Sequence, residues 1–229
     1  MPDNGNSATP TDLSTTGRTQ HRRLREQGRS DRADLMAVLR GGFIAHLGVP
    51  TSQGVMIIPT VYGFDDQHVY VHGSVASQSL AADSEVTLTV TIVDGLVLAR
   101  SVFEHAVNYH SAMIYARPHV VDDPREKLAG LRLVSEHLAP GQWEYARQPS
   151  RKELAATRLL ALSLLEASVK VRTGPPDDSD SPDAQLGLWA GELPLDARWG
   201  TPVPDPALPD GLPPPPHIAS RAGNAAHPR

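Results

Sequence analysis

Alternating polar and apolar positions indicate that the middle of the chain is a series of β-strands. Between Val86 and Val93, threonines at every second position alternate with larger apolar residues, which is the period of a half-buried strand. Asp94-Gly95 has the composition of a turn at the end of this strand. Related patterns predict six more strands, at Phe43–Val49, Val55–Tyr62, Val69–His72, Leu96–Glu104, Ser111–Val121 and Ala167–Arg172.

Three segments have helical spacing and recognisable helix starts. Asp31–Leu39 begins with a capping residue and is followed by two glycines, and Asp123-Pro124 opens a helix that runs to Leu138. Ser150 and Glu153 form a capping box before a leucine-rich run to Leu165, which predicts a third helix. A meander of strands with helices inserted late predicts a mainly β protein with some α, a barrel of about six strands with flanking helices.

The two ends of the chain lack apolar periodicity. Residues 1–30 are polar and arginine-rich, so we expect a disordered basic arm; solvation of this arm is favoured over contact with phosphate or RNA. Residues 199–229 contain four consecutive prolines and predict a disordered, proline-rich tail. The folded domain is therefore predicted to span residues 31–198.

Composition narrows the class of protein without naming a reaction. The formal charge of −5 and pI near 6.0 argue against general affinity for nucleic acid. The absence of cysteine excludes disulfides and thiolate chemistry. The sequence contains no signal-peptide pattern and no apolar run that suggests a membrane partner, so we expect a cytoplasmic protein.

A small, hydroxyl-rich turn follows the strand that ends at His72. Gly73 permits close approach of a ligand to the backbone, and Ser74 and Ser77 supply hydroxyl groups to a phosphate. The alternative is an ordinary strand-to-helix turn capped by serine. His72 itself is the candidate catalytic residue, because a strand-end imidazole exchanges protons near neutral pH; a structural histidine bonded to a carbonyl is the equal alternative.

No metal site is expected. Glu104, His105 and His110 lack the spacing that brings imidazole and carboxylate ligands to one face of a strand or helix. The acidic run that begins at Asp177 lacks the alternation of a calcium loop. A solvated turn accounts for it.

Six short motifs in this order resemble the pyridoxamine-phosphate-oxidase-like, flavin-nucleotide-binding family, including its nitroimidazole-reductase-like members. The resemblance covers Arg32 to Leu195. The motifs are Ile58-Pro-Thr-Val-Tyr-Gly63, Val71-His-Gly-Ser-Val-Ala-Ser77, Asp94-Gly-Leu-Val-Leu-Ala-Arg-Ser101, His105-Ala-Val-Asn-Tyr109, Glu136-His-Leu-Ala-Pro-Gly-Gln-Trp143 and Lys170-Val-Arg-Thr-Gly-Pro-Pro176. The resemblance implies a six-stranded antiparallel split β-barrel, a homodimer, and FMN at the dimer interface, with FAD as the second choice.

The same resemblance implies roles for individual residues. Residues implied to border or hold the flavin are Pro59, Thr60, Tyr62, His72, Gly73, Ser74, Ser77, Gln78, Arg100, Ser101, Asn108 and Tyr109. Family members favour arginine where this chain has Gln78, His110 and Gln142, so the phosphate loses charge-assisted contacts here. Lys170 shares a strand face with Arg172 and is a candidate for the flavin N1–C2=O region, with a surface charge as the alternative.

Two functions remain open on sequence alone. The first is an FMN-dependent oxidoreductase that acts on a small organic substrate through the flavin N5. The alternative is a non-catalytic dimeric binding or regulatory module whose flavin site is degenerate, which Gln78 and His110 favour.

Overall fold

A computed structural model describes residues 12–13, 16–20, 25–75, 84–209 and 211–227. The strands are β1 (Gly28–Arg29), β2 (Ile44–Thr51), β3 (Gly54–Val61), β4 (Gly63–Phe64), β5 (His68–Ser74), β6 (Val86–Leu98), β7 (Ala106–Ala116), β8 (His119–Val120), β9 (Thr157–Ser163), β10 (Ala167–Arg172) and β11 (Gly191–Pro194). The helices are α1 (Arg32–Gly41), α2 (Pro124–Leu138), α3 (Gln142–Tyr145), α4 (Arg151–Ala156) and α5 (Pro216–Ala219).

The strands form two antiparallel sheets that do not close on themselves. The larger sheet has the order β1-β10-β7-β6-β2-β3, and β11 also pairs with β6; the smaller has the order β4-β5-β9-β8. This arrangement confirms the predicted mainly β fold with some helices. In the described part of the chain, seven strands have six or more residues, which is consistent with the expected split barrel.

One hydrophobic core lies between the two sheets. Leu47, Leu88 and Ile114 project into it from the larger sheet, and Leu162 projects into it from the smaller. Leu35 on α1 is also fully buried in this cluster, so α1 lies against the inner side of the larger sheet. The opposite, outer side of the larger sheet is therefore the side that a partner or ligand can reach.

Helix α2 covers the back of the smaller sheet. Gly63 permits this contact, because a Cβ there would lie 2.3 Å from the backbone N of Val134. Asp123 accepts hydrogen bonds from the first turn of α2, as its capping position predicts. Among the described residues, neither α2 nor any other helix is long and apolar enough to cross a membrane.

The expected turn at Asp94-Gly95 is absent, because β6 runs unbroken through it. The pairing of β6 with β7 shifts by one residue between Val93 and Gly95, which makes this point a bulge. A Cβ at Gly95 would lie 2.6 Å from the carbonyl oxygen of Leu193, so the glycine lets β11 approach β6. The strand predicted over Leu96–Glu104 is correspondingly wrong at its end, where Val102–Glu104 form a 3-10 turn.

The helix predicted from Ser150 to Leu165 is also wrong in its second half. Its capping box is present, but α4 ends at Ala156 and the leucine-rich run becomes β9. Leu159 packs in a cluster on one side of the sheet, whereas Leu160 and Leu162 pack in the main core on the other. Burial on both faces produces a continuous apolar run, which periodicity alone does not distinguish from a helix.

Described residues of both end segments contact the rest of the fold. In the basic arm, β1 pairs with β10, and Arg18 forms ion pairs with Glu85 and Glu166. In the proline-rich tail, Trp199 packs edge-on against Phe43, with 5.3 Å between ring centroids. Ion pairs and aromatic contacts hold these segments, and neither produces a hydrophobic period in the sequence.

Candidate functional site

The outer face of the larger sheet carries an accessible row of side chains that crosses four strands. The register places His46 between Pro59 on β3 and Thr89 on β6, and Thr89 opposite Met113 on β7. His46, Pro59 and Met113 are exposed and Thr89 is half-buried. The row therefore offers one imidazole, one hydroxyl and apolar surface to a flat ligand.

Lys170 extends this outer face on the next strand. It pairs with Ser111, and the neighbouring Arg172 pairs with Tyr109, so these four residues share the face of the row. Val169 and Val171, which alternate with Lys170 and Arg172 along β10, are buried in the core. The structure thus places Pro59, Tyr109 and Lys170 on the same face of the larger sheet.

A segment of the N-terminal arm lies against this surface beside Thr89 and Met113. A cavity of about 260 Å³ is lined by Arg18, Thr19 and Gln20 together with Lys170 and other strand residues. The guanidinium of Arg18 stands 4.4 Å above the ring of Tyr115. Hydrogen bonds from Arg18 and Thr16 hold the pKa of Glu166 at about 2, so this carboxylate stays charged and fixes the arm.

His72, Gly73 and Ser74 lie at the end of β5 in the smaller sheet. The Nδ1 atom of His72 is buried and has no hydrogen-bond partner among the described residues. Burial lowers the pKa of His72, which favours the neutral imidazole. A buried, unpaired ring nitrogen is a group that a ligand can satisfy. Ser77 and Gln78 lie outside the described residues, so the proposed phosphate turn is described only up to Val75.

Arg100 and Ser101 have structural partners that the sequence did not reveal. The backbone N–H and the guanidinium of Arg100 donate to the two carboxylate oxygens of Asp178, at 2.6 and 2.7 Å. The Asp178 side chain is 1% exposed. The hydroxyl of Ser101 accepts a hydrogen bond from Phe103 N–H. Arg100 therefore ties the loop after β10 to the end of β6, instead of offering a free guanidinium to a flavin.

Tyr62 is a core residue, contrary to its predicted place beside the flavin. Its side chain is fully buried, and its hydroxyl donates to the carbonyls of Leu39 and Gly42 at 2.8 and 2.9 Å. Burial raises its pKa well above the ordinary range. Thr60 pairs with the buried Ala45, and strand alternation puts it on the face opposite Pro59. Of the β3 segment, only Pro59 lies in the outer row.

The side chains of Asn108 and Tyr109 lie on opposite faces of the larger sheet, because the two residues are consecutive on β7. The Asn108 amide donates to the carboxylate of Glu192 at 2.7 Å and to the carbonyl of Gly174 at 3.1 Å, and its oxygen accepts from Arg172. It lines a cavity of about 400 Å³ at one end of the fold. Glu192 has no counterpart in the sequence-based hypothesis, because β11 lies beyond the motifs that suggested a site.

His46 is a second residue that sequence reasoning missed. It is exposed and central in the outer row, but in the sequence it is one polar position in an apolar strand. No local pattern distinguishes it. Among the described residues, no group of three or more His, Asp or Glu side chains is arranged to hold a metal ion.

Comparisons with solved structures find two relatives that match nearly the whole chain. The flavocytochrome Anf3 from Azotobacter vinelandii is 36% identical, with a TM-score of 0.85 over 91% of this chain and 98% of that one. The FAD and heme binding protein from Mycobacterium smegmatis is 30% identical, with a TM-score of 0.82 over 88% of this chain and 100% of that one.

A more distant match shares the fold alone. A candidate 5-nitroimidazole antibiotic resistance protein from Bacteroides thetaiotaomicron is 16% identical, with a TM-score of 0.54 over 63% of this chain and 86% of that one. No curated protein sequence matches the chain. The sequence model described as pyridoxamine 5'-phosphate oxidase matches residues 31–171, which is more than half of the chain. The chain therefore belongs to the pyridoxamine 5'-phosphate oxidase family.

Proposed function

We propose that this protein binds a flavin on the outer face of its larger sheet and uses it to oxidise or reduce a small organic substrate. The observation that carries the proposal is the exposed row through Pro59, His46 and Met113, with Lys170 on the adjoining strand. Family membership supports a flavin ligand. A bound flavin would supply hydride or electron transfer at N5.

His72 shares the strand face of Tyr70, on the side of the smaller sheet toward α2, and so lies apart from this surface. The residues of the outer face itself fit a flavin in two respects. Lys170 carries a positive charge on the same face as Pro59, where it would stabilise negative charge on a reduced flavin ring. Pro59 and Met113 supply exposed apolar surface for a planar ring. The chemistry of these side chains supports flavin binding without specifying a substrate.

The proposed assembly is a homodimer that covers this face. Val55 and Ile57 on β3 are 72% and 67% exposed and share the strand face of Pro59, and Ile44 on β2 is 45% exposed. Apolar side chains clustered on one sheet face are typical of an interface. Burial of this face by a second copy would enclose the flavin and exclude water from it.

The visible absorption spectrum of the purified, untagged protein tests the proposal. We expect a bound-flavin spectrum, and mass spectrometry of the released cofactor then distinguishes FMN from the FAD that the Mycobacterium smegmatis relative is described as binding. No flavin signal after saturating addition of both nucleotides would contradict the proposal. It would favour instead the degenerate, non-catalytic binding module.

A substitution at Lys170 tests whether this residue sets the midpoint potential of a bound flavin. Lys170→Met should lower the flavin midpoint potential, because loss of a nearby positive charge destabilises an anionic reduced ring. Lys152→Met removes an exposed lysine from α4 and serves as the matched control. An unchanged potential in Lys170→Met would mean that the ring lies elsewhere.

Heme is a second candidate ligand, favoured by a specific observation. The pyridoxamine 5'-phosphate oxidase sequence model ends at residue 171, whereas the two relatives whose names include a heme or cytochrome cover 91% and 88% of this chain. They therefore share much of the segment after β10. A Soret band in the same spectrum, with heme b identified as its pyridine hemochrome, would support this second ligand; its absence after heme addition would contradict it.

A further inference from the structure

The cavity beside Asn108 lies apart from the proposed flavin face. Strand alternation puts His110 and Ile92 on the inner side of the larger sheet, opposite Tyr109 and Ser111. α1 contributes Ala37 and Val38 to the cavity wall. The volume of about 400 Å³ falls within the range of small-molecule sites, which is roughly 300–1,000 Å³.

The charged acceptors of its lining are the carboxylates of Asp94 and Glu192. The Nδ1 atom of His110 lies 2.7 Å from a carboxylate oxygen of Asp94. Because a carboxylate only accepts, Nδ1 is the donor in this hydrogen bond. Glu192 accepts from the Asn108 amide through Oε2, and both hydrogens of that amide are used, by Glu192 and by Gly174. Asn108 therefore has no donor left for a ligand.

Carboxylates outnumber the other ionisable groups of the lining. Asp94 and Glu192 contribute two carboxylates, His110 is hydrogen-bonded to Asp94, and neither Lys nor Arg is among the lining residues in the part of the chain that the structure describes. The guanidinium of Arg172, which is outside the lining, donates to the oxygen of Asn108 and to the backbone beyond β10. The cavity favours a cation over an anion, since a phosphate or carboxylate ligand would meet two like charges.

The remaining wall is apolar. Ile92 and Leu96 on β6 face Leu193 and Pro194 on β11, and Val38 closes the side toward α1. From these surfaces we propose that the cavity binds a small primary amine, whose ammonium group donates to Asp94 and Glu192 and whose hydrocarbon part lies against β6 and β11. This site does not depend on the flavin proposal, because none of its residues belongs to the outer row.

Calorimetric titration of the full-length protein, with whatever cofactor it carries, tests the site. The probes are benzylamine, the neutral benzyl alcohol and the anionic benzoate, which have similar size and differ in charge. We expect saturable binding of benzylamine, at least about tenfold weaker binding of the alcohol, and no binding of benzoate, because one charge-assisted hydrogen bond contributes on this scale. Equal binding of benzylamine and benzyl alcohol, or no saturable binding of benzylamine, would overturn the proposal.

Substitutions test whether benzylamine binds in the cavity beside Asn108. Asp94→Asn and Glu192→Gln should each weaken benzylamine binding about tenfold or more, whereas Asp122→Asn, an exposed carboxylate outside the cavity, should leave it unchanged. Ala37→Trp fills the cavity from the exposed side of α1 and should abolish binding with both carboxylates intact. Normal binding in Ala37→Trp would overturn the proposal. So would displacement of benzylamine by FMN, FAD or hemin, which would make the cavity part of a cofactor site.

Discussion

At the residue scale, the buried contact between Asp178 and Arg100 does most to fix the loops around the larger sheet. Asp178 accepts from both the backbone and the side chain of Arg100, and it is nearly inaccessible to water, whereas the Arg100 side chain is 24% exposed. Removing the carboxylate leaves a partly buried guanidinium and a buried backbone N–H without an acceptor. Such unpaired groups cost more than the intact pair contributes.

We predict that Asp178→Ala lowers the free energy of unfolding by roughly 2–4 kcal/mol, measured by urea denaturation. Asp177→Ala is the matched control, because Asp177 is the exposed neighbour in the same loop; its effect should stay within about 0.5 kcal/mol. Equal effects of the two substitutions would show that the Arg100 contact is not what stabilises the loop.

The second residue-scale prediction concerns two half-buried histidines. Burial lowers the pKa of His72 and of His137, the latter despite its hydrogen bond to the carbonyl of Gly42. The unfolded chain takes up protons near pH 6.5, and the folded chain only at lower pH. The stability that the neutral rings provide is therefore complete above pH 6.5 and is lost as the pH falls below that value.

Denaturation series across this range test the linkage. The free energy of unfolding of the natural protein should fall as the pH is lowered from about 7 to about 5. His137→Gln, which keeps an N–H donor near Gly42, should show a shallower fall over the same interval. A steeper fall in the variant would contradict the assignment of the slope to His137.

At the element scale, Gly63 on β4 lets α2 pack closely on the smaller sheet. A side chain at Gly63 would meet the backbone of α2 at Leu133 and Val134, where no flexible group can move aside. The contact is therefore between backbone and backbone, and its spacing is set by β4. A change at this position has to displace the whole helix.

We predict that Gly63→Ala destabilises the fold by roughly 1–3 kcal/mol, as overpacking of a buried contact does. Gly200→Ala is the control, because a Cβ at Gly200 meets nothing within 4 Å. Thermal unfolding followed by circular dichroism provides the comparison. Equal melting temperatures for the two variants would mean that α2 does not rest on β4 as described.

The sequence predicted helices and strands correctly where a pattern is compatible with only one kind of secondary structure. The capped start of α2 and the threonine alternation in β6 were both confirmed, because caps and period-two burial are local. The run from Leu159 to Leu162 has no period of its own, so the sequence does not distinguish a strand buried on both faces from a helix. Asp94-Gly95 has the composition of a turn, whereas the bulge found there depends on the pairing of β6 with β7, which these two residues do not indicate.

At the scale of the whole molecule, the exposed apolar face of the larger sheet is the feature that an isolated chain leaves unexplained. Val55 and Ile57 lie on an edge strand whose outer side no helix covers in the described part of the chain. Exposed edge strands with apolar side chains are prone to association. The proposed homodimer and the proposed flavin site make use of the same face.

We predict that Ile57→Lys makes the protein monomeric and weakens flavin retention in the same preparation, because a charge on this face has to be desolvated on association. Val203→Lys is the control, since Val203 is 91% exposed in the tail. Size-exclusion chromatography with light scattering gives the mass, and the visible spectrum gives the flavin content. A dimeric Ile57→Lys variant would place the interface elsewhere.

The sequence by itself determined the family, the mainly β fold and the starts of the longest helices and several strands, because short motifs, caps and strand periods are local properties. Only the tertiary structure decided which candidates share a surface: Pro59, Tyr109 and Lys170 lie on one face of the larger sheet, whereas Tyr62 is in the core and Arg100 is held by Asp178. The tertiary structure also placed His46 in the outer row and Asp94 and Glu192 in the cavity beside Asn108. Residues far apart in sequence meet through strand register and loop packing, and a linear pattern does not encode either of these.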